Sequence, residues 1–261
     1  MNAYSSPASI LITGATGGLG KALALAYAAP GRTLVLHGRD GAKLDALTRA
    51  CTQRGATVIP LILDLTRSVQ LIAALDALCA STPIDLAIVN AGTTNALGAE
   101  GEAWQDIERV LDINVRAAMA TISALLPAMR RRRRGQLALI SSLSAYIGLP
   151  VTPAYCASKA ALKAYGEALR GWLAPQGIAV NVVLPGFVET PMSDRFPGSK
   201  PFLLSPDDAA RRIKAGLARN QGRISFPLPL ALGMWLLSVL PAAWSQWILR
   251  VLGFGGARRE S

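Results

Sequence analysis

The chain has 261 residues, 51% of them hydrophobic, and a formal net charge of +11. This length accommodates one large α/β domain with a buried core. A single histidine, His37, argues against a Ser-His-Asp hydrolase and against a histidine-rich metal centre. Three cysteines without CxxC spacing fit reduced thiols better than a disulfide framework or a zinc site. The N-terminal residues do not resemble an export signal, so the expected location is the cytoplasm.

Part of the positive charge lies in one run of arginines, Arg130 to Arg134, at the end of a predicted helix. Cations at this position interact favourably with the helix dipole. The preferred interpretation is therefore a solvated helix end. Contact with anionic lipid and contact with nucleic acid are the alternatives, and we expect no nucleic-acid partner.

Short apolar runs alternate with longer amphipathic ones, and no linker or repeat divides them. The predicted strands are Ser9–Thr13, Thr33–His37, Thr57–Leu63, Ile84–Asn90, Gln136–Ser141, Ile178–Leu184 and Arg223–Phe226. The predicted helices are Gly18–Ala28, Ala42–Arg54, Ser68–Ala80, Ala103–Arg130, Pro153–Ala174 and Pro206–Asn220. Such alternation predicts parallel strands joined by right-handed crossovers. We expect a Rossmann-like, doubly wound parallel sheet over residues 1–223, a single α/β domain, and an apolar C-terminal helical extension over residues 224–261.

A glycine-rich turn, Thr13 to Gly20, connects the first strand to the first helix. Glycines permit positive φ and allow the backbone to approach a pyrophosphate, which binds the free N–H groups at the start of the following helix. The alternative is a tight turn without a ligand. The position between a strand and a helix favours a dinucleotide site.

The second predicted strand ends in His37-Gly38-Arg39, without the acidic residue that often binds the ribose 2′-hydroxyl. Arg39 can pair with a 2′-phosphate, whereas a carboxylate would repel it. Asp40 is expected to cap the next helix. The sequence therefore favours NADP(H) over NAD(H), with a merely solvated Arg39 as the alternative.

Lys159 lies four positions after Tyr155 at the start of a predicted helix, so the two side chains lie on one face. An ammonium group nearby favours the phenolate and would lower the pKa of Tyr155. Such a pair is common on helices and carries little information alone. Ser142 ends a predicted strand thirteen residues before Tyr155, and Asn114 lies within the long helix.

Taken together, these motifs resemble the classical short-chain dehydrogenase/reductase family over roughly residues 10–192. The matching segments are TGATGGLG at 13–20, DL at 64–65, NAG at 90–92, Asn114, Ser142, YCASK at 155–159 and PGFVET at 185–190. The resemblance implies a catalytic set of Ser142, Tyr155, Lys159 and Asn114. It further implies cofactor contacts from Gly14, Thr16, Gly18, Leu19, Gly20, Arg39, Asp64, Leu65, Asn90, Ala91, Gly92, Pro185, Gly186, Val188 and Thr190, together with Tyr155 and Lys159, and no metal.

By the same resemblance, Tyr155 acts as the general acid in carbonyl reduction and Lys159 lowers its pKa and holds the nicotinamide ribose. Ser142 hydrogen-bonds the substrate oxygen, and Asn114 seats a water in a proton relay. The expected activity is reversible, NADP(H)-dependent reduction of a ketone or aldehyde by a homodimer or homotetramer. The alternative is a non-catalytic NADP-binding sensor or scaffold recruited through the C-terminal segment.

The C-terminal extension contains no charged residue from Ile224 to Leu249, although prolines interrupt it. Beyond Pro241, Trp244, Trp247, Ile248, Val251 and Leu252 form one helical apolar stripe. Three interpretations stand: packing on the domain's own pocket or a subunit, binding to the inner face of a membrane through residues 224–252, and a spanning helix. Arg250, Arg258 and Arg259 suit anionic headgroups, and a membrane contact would favour a lipid-like substrate.

Overall fold

A computed structural model describes residues 6–95, 101–196 and 199–254. Within them, the strands form one parallel sheet of seven, in the order β3-β2-β1-β4-β5-β6-β7. The strands are β1 Ser9–Ile12, β2 Thr33–Gly38, β3 Thr57–Ile62, β4 Leu86–Val89, β5 Gly135–Ile140, β6 Ile178–Pro185 and β7 Arg223–Phe226. The strand order reverses between β1 and β4, and parallel sheets of this type bind ligands at that switch point. The predicted Rossmann-like sheet is confirmed.

Helices cover both faces of the sheet. They are α1 Gly18–Tyr27, α2 Gly41–Thr52, α3 Ser68–Ser81, α4 Trp104–Leu111, α5 Ala117–Arg132, α6 Pro153–Leu173, α7 Pro191–Asp194, α8 Pro206–Ala218, α9 Leu228–Val239 and α10 Ala242–Val251. Alternate residues of β1 supply the two cores: Ile10 and Ile12 pack with α1, α2 and α8, whereas Leu11 packs with α3, α5 and α6. This alternation is why the buried strands are apolar throughout.

The predicted long helix Ala103–Arg130 is divided into α4 and α5 by a π-helical turn, Asp112–Arg116. Asn114 lies in this turn with no exposed surface. Its side-chain oxygen accepts a hydrogen bond from the Thr93 N–H at 2.7 Å, and its Nδ2 donates to the Thr93 carbonyl at 2.9 Å. A π turn widens the helix locally, and here it coincides with the residue whose side chain joins the helix to the segment after β4.

The arginine run at the end of α5 contacts the protein itself. Arg130 stacks on Trp172 at 4.6 Å, and Arg132 donates to the Ile84 carbonyl at 2.7 Å. Arg133 adopts a left-handed conformation that ends α5 and donates to the Pro175 carbonyl. These contacts agree with the interpretation of the run as a helix end.

The C-terminal segment forms α9 and α10, which pack on the sheet domain by one side only. Ala231 of α9 packs with Leu143, and Leu249 of α10 packs with Leu149 and Cys156. Large apolar side chains on the opposite side are exposed. We call these the outer face: Leu228, Leu232, Trp235, Leu236 and Val239 of α9, with Trp244, Trp247, Val251 and Leu252 of α10.

The apolar stripe predicted on α10 therefore lies mainly on the exposed side, while Ser245 and Leu249 are buried. With 12 and 10 residues, α9 and α10 are each shorter than the roughly 20 residues that span a bilayer. In the described part of the chain, the helical stretch Trp104–Arg132 is long and apolar enough to span a bilayer. Half of its most apolar part is buried inside the protein. Arg258 and Arg259 lie outside the described residues.

Candidate active site

One cavity of about 1020 Å³ opens at the carboxyl ends of the strands. It extends from the glycine-rich turn, past Tyr155, to α9 and α10. Every residue predicted for the site lines it except Asn114, which is buried behind the wall. The structure thus brings together residues from seven separate motifs, as the sheet topology requires.

The glycine-rich turn fits closely against neighbouring segments. Gly14 has a φ of +64°, and a Cβ there would lie 2.8 Å from the Ala91 Cα. A Cβ on Gly18 would lie 2.6 Å from the Thr190 side chain, so α1 and the segment after β6 meet at this point. Gly17 has no side chain to cap α1, so the first N–H groups of α1 are available to an anion. This cradle fits a pyrophosphate.

His37 holds the glycine-rich turn through a hydrogen bond, a role that the sequence did not indicate. Its Nδ1 accepts a hydrogen bond from the Gly14 N–H at 3.1 Å, so its Nε2 donates to the Leu63 carbonyl at 3.0 Å. This arrangement needs the neutral imidazole. Burial lowers the pKa of His37, and the Leu63 carbonyl acts in the opposite direction. His37 thereby joins the glycine-rich turn to the end of β3.

The far end of the cavity carries the charged side chains. Arg39 is exposed at the rim, beside Lys43 and Asp64. Asp40 caps α2 by accepting a hydrogen bond from the Lys43 N–H at 3.1 Å, as predicted. Hydrogen bonds from Thr66 lower the pKa of Asp64, which stays ionised. Two cations at this rim suit a phosphate group.

Ser142 and Tyr155 face each other across the middle of the cavity. The Ser142 side chain accepts a hydrogen bond from the Ser144 N–H at 3.1 Å and lies close enough to the Tyr155 hydroxyl to affect its pKa. Burial raises the pKa of Tyr155 to about 12, and the Ser142 hydroxyl acts against this. The shift is opposite to the lowering expected from a lysine one turn away, because desolvation of the phenolate is the larger effect.

Lys159 lies below Tyr155, with its Nζ 5.5 Å from the centre of the phenol ring. The ammonium donates to the Ile140 carbonyl at 3.0 Å, and burial lowers its pKa to about 8. A Cβ on Gly92 would lie 3.4 Å from this Nζ and 3.3 Å from the Asn114 Oδ1. Lys159 and Asn114 therefore flank the same small space, which a side chain at position 92 would fill.

Two further side chains position the catalytic helix and were not identified from the sequence. Both carboxylate oxygens of Glu102 accept from the Ala154 N–H, at 3.2 and 3.1 Å, at the start of α6. Thr152, the residue before α6, provides no side-chain cap, so Glu102 does this from 52 residues away. Ser158 accepts from Asn114 at 2.9 Å and donates to the Tyr155 carbonyl at 2.7 Å. No local sequence signal indicates such distant contacts.

Comparison with known proteins agrees with this geometry. Residues 8–199 match the family model described as short chain dehydrogenase. The chain belongs to the short-chain dehydrogenase family. This dehydrogenase is 38% identical over 236 residues to an uncharacterized oxidoreductase of Myxococcus xanthus, a match that covers 88% of this chain and 92% of that protein. It is 33% identical over 261 residues to dehydrogenase/reductase SDR family member 7B of Bos taurus, a match that covers 92% of this chain and 80% of that protein.

Among solved structures, a short-chain dehydrogenase from Sphingobium yanoikuyae in complex with NADPH matches this dehydrogenase with a TM-score of 0.78. The two chains are 28% identical, and the match covers 97% of each. Fold, motifs and relatives together make the protein an NAD(P)-dependent oxidoreductase that acts on a small-molecule substrate.

Proposed function

We propose that this dehydrogenase reduces a ketone or aldehyde to an alcohol, reversibly, with NADP(H) as cofactor and Tyr155 as the general acid. The observation that carries the proposal is the placement of Ser142 and Tyr155 on the same cavity, with the Lys159 Nζ 5.5 Å from the centre of the Tyr155 ring. Two hydroxyl donors aimed at one point stabilise the negative charge that develops on a carbonyl oxygen during reduction.

The bound cofactor supplies the hydride, and the protein residues supply position and protons. Because its pKa is raised, Tyr155 keeps its proton at neutral pH and donates it to the developing alkoxide. Lys159 holds a positive charge below about pH 8 and so stabilises the phenolate that remains. Asn114, bound to the Thr93 backbone, holds its carbonyl oxygen beside Lys159 for a proton relay.

The preference for NADP(H) rests on Arg39. This side chain is exposed at the cavity rim with Lys43 near it, and a guanidinium pairs with a 2′-phosphate through two hydrogen bonds. We expect NADPH to bind tighter than NADH, and Arg39→Ala to weaken NADPH binding by about tenfold or more while leaving NADH binding unchanged. Titration of nicotinamide fluorescence with both cofactors measures this. Equal affinities in the wild type would contradict the assignment.

Consumption of NADPH with a panel of simple ketones and aldehydes tests the activity itself. Turnover with at least one carbonyl supports the proposal. NADPH that binds tightly but is never consumed by any of them would favour the second candidate, a non-catalytic NADP-binding sensor or scaffold. Against that candidate, Ser142, Tyr155, Lys159 and Asn114 are all present, and they lie in or beside the same part of the cavity.

The outer face supports a peripheral contact with the cytoplasmic surface of a membrane. Trp244 and Trp247 are 65% and 63% exposed, and the residues from Ile224 to Leu249 include no charge. Large exposed apolar patches mark interaction sites, and tryptophans are favoured at the membrane–water interface. A bilayer contact also suits a lipid-like carbonyl substrate. The expected homodimer or homotetramer is a separate prediction, from the family resemblance.

Co-sedimentation with phosphatidylcholine vesicles, with and without phosphatidylglycerol, tests this contact. We expect the wild type to bind and the double variant Trp244→Ser/Trp247→Ser to bind at least tenfold more weakly, since two aromatic side chains leave the interface. Trp172→Ser is the matched control, because Trp172 is also exposed (58%) but lies outside the outer face. Absence of wild-type binding, with concentration-dependent association instead, would assign the outer face to a second copy of the chain.

A further inference from the structure

Leu236 and Leu240, towards the end of α9, and Leu252, after α10, line the cavity that contains Tyr155 and are 47%, 36% and 55% exposed. Leu249, which lines the same cavity one turn earlier on α10, is only 1% exposed. Exposure thus rises along the lining from Leu249 to Leu252, which indicates that the cavity opens to solvent between α9 and α10, beside the outer face.

The wall between Tyr155 and this opening is apolar. Met234 and Leu237 of α9 face Ile248 and Leu249 of α10 along it. The charged lining side chains Arg39, Lys43 and Asp64 are at the other end of the cavity. Among the described residues that line this end, Arg195 is the charged one, and it belongs to the segment that follows β6. An apolar passage selects an apolar ligand, because it offers few partners for polar groups.

We propose that the substrate carries a long aliphatic chain, which lies between α9 and α10 with its carbonyl at Tyr155 and its far end at the opening. This inference rests on the proposed carbonyl reduction and specifies its substrate class. The opening at Leu240 and Leu252 lies where the outer face would meet a bilayer, so such a substrate enters sideways from the lipid, without crossing water. The cofactor enters from the opposite, charged end.

A series of unbranched methyl ketones of increasing chain length tests the inference in vesicle-free solution. Each methylene that becomes buried between the helices contributes to transition-state binding. We expect kcat/KM to rise by about two- to fourfold per methylene and then to level off when the chain reaches the opening. The rise is measured with saturating NADPH on the full-length protein.

A matched pair of variants on α10 locates the chain. Leu252 lines the opening, whereas its neighbour Val251 is 67% exposed and does not line the cavity. Leu252→Asp places a carboxylate beside the chain. We expect it to lower the ratio of kcat/KM for the longest over the shortest ketone by about tenfold, the equivalent of two lost methylene contacts. Val251→Asp leaves that ratio unchanged.

The outcomes separate this inference from the proposed function. Reduction of ketones at a rate independent of chain length, or an equal change of the ratio in both variants, would overturn the inference and leave carbonyl reduction intact. Failure to reduce any ketone or aldehyde, short or long, would overturn the proposed function and the inference together. A rising kcat/KM that Leu252→Asp alone abolishes is the result that supports it.

Discussion

The centre of the cavity, around Tyr155, and its apolar end, between α9 and α10, are built by different forces. Around Tyr155, hydrogen bonds to the backbone hold the side chains: Lys159 donates to the Ile140 carbonyl, and Asn114 binds both polar groups of Thr93. Hydrogen bonds are directional and fix a geometry to a few tenths of an ångström. The α9–α10 wall is held instead by apolar contacts such as those of Leu249.

Apolar contacts are non-directional, and their strength follows the area that is buried. Such a wall keeps its helices in place and sets no fixed orientation for a ligand. We therefore expect the reaction and the choice of substrate to be controlled separately. Under the proposed function, the hydrogen-bonded centre determines what chemistry occurs, and the apolar end determines which molecules undergo it. Changes in one part should leave the function of the other largely intact.

Removal of the Tyr155 hydroxyl should have the largest effect. In Tyr155→Phe we expect kcat for ketone reduction to fall by about 10²- to 10⁴-fold, because a positioned general acid contributes that much. NADPH affinity, measured by fluorescence titration, should change by less than about threefold, since the phenol is only one of many expected cofactor contacts. A variant that retains more than about a tenth of wild-type kcat would show that another group donates the proton.

The next largest effect is expected from a change in the packing of α10 on the domain. Leu249 is 1% exposed, so Leu249→Ala leaves a cavity and should destabilise the helix by roughly 2–4 kcal/mol. Hydrogen exchange of the α10 amides measures this loss, because the segment can open locally without global unfolding. Val251→Ala is the control, with an expected change within about 0.5 kcal/mol. Similar exchange rates in both variants would mean that α10 is not held by this contact.

Substitution of Glu102 should have a smaller effect, a loss of stability at the start of α6. Because Glu102→Ala removes the acceptor for the Ala154 N–H at the start of α6, we expect the free energy of unfolding to fall by about 1–2 kcal/mol. Glu102→Gln keeps an oxygen in place and should recover part of the loss. Chemical denaturation measures both, with Glu108→Ala on the exposed side of α4 as the control. Equal stability of the Ala and Gln variants would argue against a capping role.

His37 should produce a shallow pH dependence. Its pKa is lowered in the folded protein, so the unfolded chain takes up a proton first as the pH falls below about 6.5. Stability is then lost with decreasing pH, by at most about 1.4 kcal/mol per pH unit for one proton. Arg39 strengthens and Asp64 opposes this effect.

Denaturation at about pH 7 and about pH 5 checks this contribution. His37→Gln can keep one acceptor and one donor but does not titrate, so it should flatten the dependence relative to the wild type. Identical slopes in the two proteins would assign the pH dependence to other groups.

The sheet, and the position of most predicted site residues on one cavity, could be predicted from the sequence, because both depend on local patterns. Alternating apolar runs indicate the strands, and the glycine-rich turn beginning at Gly14 occurs where a strand meets a helix. Contacts between distant residues could not be predicted in this way. Glu102 reaches α6 across 52 residues, and His37 joins the glycine-rich turn to the end of β3. The π turn at Asn114 likewise depends on a tertiary hydrogen bond.

Whether the apolar stripe on α10 faces the core or the solvent could also not be predicted from the sequence. Helical periodicity shows that Trp244, Trp247 and Val251 share one side, and it does not show what covers that side. An apolar stripe ordinarily faces the core. Here the core takes Leu249 and Ser245, and the stripe is exposed. Only the tertiary arrangement distinguishes these two outcomes.

Following the transferred hydride tests carbonyl reduction at Tyr155 most directly. Wild-type protein is incubated with a methyl ketone and NADPH that carries deuterium at the transferring position of the nicotinamide, and the alcohol is analysed by mass spectrometry. We expect one deuterium on the carbinol carbon with wild type, and no alcohol beyond trace amounts with Tyr155→Phe. Alcohol without the label, or labelled NADPH that is bound and never consumed with any carbonyl, would contradict it.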